Sequence, residues 1–259
     1  MVTLQLKGVG ARYGSTLAVE GVTTPVFSGG ELTAVIGPNA AGKSTLFKRI
    51  SGLLKGPGDV VLAGNRAAPR DAIRYMPQDT HANAVLTVYE SVLLAAKQGE
   101  GWRVKDSELV EIDQILKALQ INSLAFRNLG ELSGGQRQLV SIAQVLVRRP
   151  EVLMMDEPTS ALDLYRQVEV LNFMRDLARR QGTLVLIALH DLNHALRFCR
   201  NTMVIAEGRL VAAGPSEDVI TSAMLRDIYR VEARVEARVG TVGVLGGVQA
   251  GMQQGTCGI

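Results

Sequence analysis

Residues 37–45 read GPNAAGKST, which meets the spacing G-x-x-x-x-G-K-[ST], and that spacing suits the holding of phosphate. An oligophosphate needs a concave row of backbone N–H groups. A loop running into a helix N-terminus supplies several, with a favourable dipole. The loop comprises Gly37, Pro38, Asn39, Ala40, Ala41, Gly42, Lys43, Ser44 and Thr45. Gly37 and Gly42 let the backbone wrap closely. Lys43 can reach β- and γ-phosphates, and the Ser44 hydroxyl can ligate Mg2+. Glycine turns between strands and helices are common by themselves; the Lys-Ser pair and the flanking segments point to a nucleotide.

Other positions could complete a hydrolytic site. VLMMDEP, residues 152–158, is an apolar run ending in two acids. Asp156 would hold Mg2+, directly or through water. Glu157 is the candidate general base for an attacking water; alone, such an acid pair can also start a solvated turn. Gln78 ends AIRYMPQ, where a neutral amide can touch Mg2+ or the water, or simply face solvent. His190 ends TLVLIALH and could donate to the γ-phosphate, although a lone histidine there is more often structural. His81 and His194 lack such companions and read as surface or packing residues.

A second anion site is encoded at residues 132–138, LSGGQRQ. Ser133 is placed as a helix N-cap, and Gly134 and Gly135, ahead of Gln136, expose backbone N–H groups. One chain does not need two such helix starts for one triphosphate. The surplus suggests a nucleotide held by another copy; the plainer reading is a capped helix.

These residues need elements to position them. ELTAVIG is a compact apolar run ending in glycine, which predicts a buried strand before the phosphate loop. STLFKRISGLL follows as a helix with Leu46, Ile50, Leu53 and Leu54 inward. The first thirty residues read as short strands and turns, and VVLAG and AIRYMPQ as strands. Residues 79–150 hold three amphipathic stretches, the second with Leu109, Ile112, Leu116 and Leu119 on one face. That block predicts a helical subdomain inserted in an α/β core. EVLMMDEP and TLVLIALH read as parallel strands covered on both faces. Between them lies a helix with Leu164, Val168, Leu171, Met174 and Leu177 inward and Gly182 as its stop. A hairpin is expected to turn at Glu207 and Gly208. Residues 231–238 are a short tandem repeat, VEARVEAR, before a glycine-rich end; residues 231–259 are expected to be a strand or tail, partly flexible.

Taken together, these motifs closely resemble the ABC ATPase family. GPNAAGKST is similar to its Walker A motif, VLMMDEP to its Walker B, LSGGQ to its signature, Gln78 to its Q-loop and His190 to its H-loop. SALD, ending at Asp163, resembles the D-loop, and Tyr13 falls where the family stacks an aromatic on adenine. The resemblance implies a RecA-like P-loop NTPase core with an N-terminal antiparallel β subdomain and an inserted α-helical subdomain, spanning residues 1–230. It implies ATP and Mg2+ as ligands. It also implies a dimer in which ATP lies between the phosphate loop of one copy and the signature of the other. Its partners are then transmembrane permease subunits and, indirectly, a periplasmic or surface substrate-binding protein. The stretches LDLYRQVEVLNFMRDLA, LHDLNHALRFC and GRLVAAGPSEDVITSAMLRDIYRVE look most like importers of iron-siderophore complexes, haem or cobalamin. Importers of a metal ion, oxyanion or amino acid, and non-transport ABC ATPases, are the alternatives. One departure stands at Ala40, where the family has glycine. If that residue needs φ > 0, alanine costs about 1 kcal/mol, and Ala40→Gly is expected to tighten ATP binding.

Composition agrees. With 47% hydrophobic and 20% charged residues among 259, the chain has enough apolar mass for one sizeable core. A net charge of +3 is too slight to argue for nucleic acid. Two cysteines, Cys199 and Cys257, have no metal-like spacing. No apolar run approaches the roughly 20 residues of a spanning helix, and no signal peptide is evident. The expected location is the cytoplasmic face of the membrane, held there by the permease.

Overall fold

The computed structural model describes residues 1–64, 72–78, 85–98, 101, 103–235 and the backbone of 248–250. Four short strands come first, β1 (Thr3–Lys7), β2 (Val9–Tyr13), β3 (Thr16–Val22) and β4 (Phe27–Ser28). They lead to β5 (Leu32–Ile36), helix α1 (Lys43–Ile50), β6 (Asp59–Ala63) and β7 (Ile73–Met76). Three helices follow, α2 (Val88–Lys97), α3 (Asp106–Ala118) and α4 (Gly134–Leu146). The chain then alternates β8 (Val152–Asp156), α5 (Leu164–Gln181), β9 (Leu184–Ala188) and α6 (Leu192–Phe198), and forms the hairpin β10 (Asn201–Ala206) and β11 (Arg209–Pro215).

The main sheet has the order β11-β10-β5-β9-β8-β7. Every pair in it is parallel except β10–β11. Its central strands are buried along their whole length, because both faces are covered. Side chains alternate between the faces with period two. In β8, Leu153 and Met155 join the core under α2 to α5, whereas Val152 and Met154 join the core with α1 and β1 to β4. Asp156 continues the second set and so faces the α1 side. The N-terminal strands make separate antiparallel pairings, β4-β1-β6 and β2-β3. In α3, Ile112, Leu116 and Leu119 are buried as their spacing predicts, and Leu109 is half-buried.

Two expectations need correction. Helix α1 ends at Ile50 instead of running to residue 54, and Leu53 is 68% exposed. Gly52, at φ 79°, turns the chain into the left-handed region and takes Leu53 off the helical face. Leu164 is likewise 68% exposed. As the first residue after the N-cap Asp163, it projects back past the end of the core, and Val170 and Ala178 fill the inward face beside Leu171 and Met174. Gly182 stops α5 at φ 68°, where glycine was expected to act.

His194 is a packing residue, buried with its ring 5.9 Å from that of Phe198. Cys199 is buried and unpaired. The strand β12 (Ala233–Val235) pairs antiparallel with β13 (Val248–Ala250). His81, Cys257, residues 79–84 of the helical block, most of the second VEAR unit and most of the glycine-rich end lie outside the described residues.

Candidate functional site

A cleft of about 730 Å³ opens at the carboxyl ends of the parallel strands, where open α/β sheets bind ligands. Each wall follows a strand end. Asn39 to Thr45 follow β5, Gln78 follows β7, Glu157 follows β8, and His190 lies two residues beyond β9. The register explains the convergence: β5, β9, β8 and β7 are neighbours with parallel pairing, so their ends and following loops share one edge.

The phosphate loop has a backbone that side chains would obstruct. Gly37 lies at φ 149°, and a Cβ there would run into the Ile205 carbonyl oxygen. Gly42, the N-cap of α1, sits at φ 105° and offers no side-chain cap. The first N–H groups of α1 therefore need an outside partner. Ala40 adopts φ 59°, the left-handed strain foreseen above. Releasing it in Ala40→Gly is expected to tighten ATP by up to about five-fold, the equivalent of about 1 kcal/mol. Titration calorimetry alongside thermal melts checks this: unchanged affinity with a higher melting temperature would place the strain in the fold instead.

Lys43 is 5% exposed, and its Nζ donates to the carbonyls of Gly37 at 2.8 Å and Pro38 at 3.0 Å. A third N–H remains for a ligand oxygen. Burial pushes its pKa down, and the nearby Glu157 and Asp156 carboxylates partly restore it. An arriving phosphate would add a counter-charge to a desolvated ammonium.

Glu157, Gln78 and His190 form one connected group. Gln78 Nε2 donates to Glu157 Oε2 at 2.7 Å, and His190 Nε2 contacts Glu157 Oε1. Both carboxylate oxygens are thus engaged once, and each keeps a lone pair that can accept from a water. Asp156 lies beneath, 2% exposed. Its Oδ2 accepts from the Tyr75 hydroxyl at 3.2 Å, and its Oδ1 is buried without a hydrogen-bond partner among the described residues. Burial, and then Asp156 itself, push the Tyr75 pKa up.

The sequence did not single out Tyr75, or Leu17, Ala18, Glu207 and Gly208 on the cleft rim. Tyr75 stands on the strand before Gln78, and the predicted turn at Glu207 and Gly208 was a usable signal. Tyr13 is half-exposed at the end of β2 and is not among the residues lining this cleft.

The signature segment is elsewhere. Ser133 Oγ accepts from Gln136 N–H at 3.3 Å, while Gln136 Oε1 accepts from Ser133 N–H at 3.0 Å, a reciprocal cap on α4. Ser133, Gly134, Gly135, Gln136 and Asp163 line another cleft, of about 530 Å³. The two clefts have no lining residue in common.

The ABC transporter family profile matches residues 24–160. The chain is 33% identical over 245 residues to the iron(3+)-hydroxamate import ATP-binding protein FhuC of Bacillus subtilis, covering 91% of this chain and 90% of that one. It is 35% identical over 224 residues to the hemin import ATP-binding protein HmuV of Hahella chejuensis, covering 80% and 84%. Among solved structures, a metal-chelate type ABC transporter in an inward-facing conformation matches with TM-score 0.83 at 24% identity, over 98% of this chain and 99% of that one. The ADP conformation of an ABC transporter's ATP-binding cassette matches with TM-score 0.75 at 26% identity, over 89% and 99%.

Proposed function

The chain belongs to the ABC transporter family, and from that premise we propose that it is the ATP-hydrolysing subunit of an importer for iron-siderophore complexes, haem or cobalamin. It is an ATPase that works with transmembrane permease subunits, and no helix among the described residues is long and apolar enough to cross a membrane. It sits at the cytoplasmic face through the permease, and a substrate-binding protein delivers cargo from the other side. The observation that carries the ATPase reading is the pair of separate clefts, one with a phosphate loop and an acid-amide-histidine group, the other with a second glycine-rich helix start; the cargo class is supported by the similarity to import ATP-binding proteins for iron(3+)-hydroxamate and hemin.

In this reading ATP lies in the first cleft with its phosphates on the N–H groups of residues 37–45. Lys43 neutralises β- and γ-oxygens. Mg2+ fits the donor set, because Asp156 Oδ1 is a buried carboxylate oxygen in need of a partner and Ser44 lines the same cleft; Gln78 completes the candidate ligands. Bound there, Mg2+ would neutralise developing phosphate charge. Glu157 accepts the proton of the attacking water, His190 donates to the γ-phosphate, and Gln78 moves between Glu157 and the water. Tyr13 is assigned to the adenine. Ser133, Gly134, Gly135 and Gln136 of a second copy close over the nucleotide, with Asp163 at the seam. Opening and closing of this dimer moves the helical block at residues 79–150, which pushes on the permease.

Copurification with the permease and binding protein, followed by ATP-driven uptake of a siderophore, haem and cobalamin in vesicles, tests the cargo. Uptake of none, with uptake of an amino acid or oxyanion instead, would overturn the substrate class. Lys43→Ala is expected to weaken ATP binding by about ten- to a hundred-fold, the loss of a charge-assisted clamp. Unchanged affinity by fluorescent-nucleotide titration would displace Lys43 from this role.

A further inference from the structure

Glu157 has a left-handed backbone, φ 51°. A non-glycine residue keeps such a conformation only where its surroundings enforce it. The main enforcer comes from α4. Gln138 is 6% exposed, and its amide grips the turn that begins at Glu157 in two places. Nε2 donates to the Glu157 carbonyl at 2.8 Å, and Oε1 accepts from the Ala161 N–H at 3.0 Å. A primary amide carries a donor and an acceptor side by side, so it can serve both backbone groups. From α5, Gln167 holds the same turn by donating to the carbonyls of Thr159 at 3.2 Å and Leu162 at 2.9 Å. The turn passes tightly over the start of α4, since a Cβ on Gly135 would meet the Ala161 carbonyl oxygen at 2.9 Å.

We propose that Gln138 is a positioning residue for hydrolysis: it holds the backbone beneath the Glu157 carboxylate and fixes it relative to α4. The inference rests on Glu157 acting as the base. It has a directional consequence. The helix whose N-terminus faces a partner's nucleotide is bolted, through one buried amide, to the base of its own chain's site. A shift of α4 on docking is then delivered to Glu157 as a change in carboxylate position.

Two substitutions in the full-length protein separate the bonds. Gln138→Met keeps the length and removes both. Gln138→Glu keeps an acceptor for Ala161 and loses the donor to Glu157. Each is expected to lower kcat by about ten- to a hundred-fold, the scale of a small misplacement of a reacting group. The KM for ATP and the ATP affinity should stay within about two-fold of the parent. Rates are counted per nucleotide-binding molecule, so misfolded protein does not enter. In a double-mutant cycle, Gln138→Met added to Glu157→Gln should cause no further loss of single-turnover rate, because the group it positions is already gone. Equal fractional losses in both backgrounds, or a parental kcat in Gln138→Met, would overturn the proposal. Normal turnover in Glu157→Gln alone would instead sink the assignment of the base, which is a separate result.

Discussion

Glu157→Gln is expected to retain MgATP binding, to lose about a hundred- to a thousand-fold in hydrolysis rate, and to accumulate as an ATP-bound dimer. The magnitude is that of removing a positioned general base. Glutamine has the size and shape of glutamate, so the contact with Gln78, now 2.7 Å from Nε2 to Oε2, can re-form with one amide flipped. The φ of 51° belongs to the backbone and is unchanged. What disappears is the ability to accept a proton from water at neutral pH. Binding is spared because the phosphate loop and Lys43 approach the nucleotide from β5 and α1, not from β8. With hydrolysis blocked and binding intact, a species that normally decays should persist. Radiolabelled phosphate release and light scattering with and without MgATP give the two readouts. Parental turnover would mean that another group takes the proton; a variant that neither hydrolyses nor dimerises with MgATP would mean that bound ATP does not close the dimer.

The parts of the site that were legible in the sequence are those set by short-range chemistry. Gly37, Gly42, Lys43 and Ser44 declare themselves because their spacing, an apolar strand before and a helix after sit within one stretch of chain. Asp156, Gln78 and His190 were legible more weakly, as polar ends of apolar runs. The parallel sheet then brings four such ends to one edge, which no single segment could reveal. Tyr75 escaped notice because its partner, Asp156, is brought to it by strand pairing between β7 and β8, and periodicity carries no trace of that. The left-handed Glu157 escaped for a related reason. Local preference disfavours it, and bonds from Gln138 and Gln167 to a turn closed by Ser160 hold it. Leu164 is exposed although it shares the apolar face, because a helical pattern says which face is apolar but not where the core ends along the axis.

The separation of the two clefts makes the strongest claim about assembly, and Ser133→Arg addresses it. This variant is expected to bind ATP like the parent as a monomer and to hydrolyse it at background rate. Ser133 lines the 530 Å³ cleft with Gly134, Gly135 and Asp163. A guanidinium on a long stem would fill that space and leave the phosphate loop untouched, since no lining residue is common to both clefts. The substitution also removes the N-cap of α4, worth about 1 kcal/mol. Ser133→Ala removes the same cap without adding bulk, so it should show the same thermal shift and lose less turnover than Ser133→Arg. The decisive measurement mixes two inactive proteins. In a heterodimer of Ser133→Arg with Lys43→Ala, one composite site has an intact Lys43 from the first chain and an intact Ser133 from the second; the other site has neither. Hydrolysis should therefore reappear on mixing and rise with the fraction of heterodimer. If Ser133→Arg alone turns over at the parental rate, each cleft is complete within one chain and the second helix start is only a cap. If both variants are inactive alone and the mixture stays inactive while heterodimers form, the two clefts do not meet across the pair, and α4 contributes to hydrolysis from within its own chain.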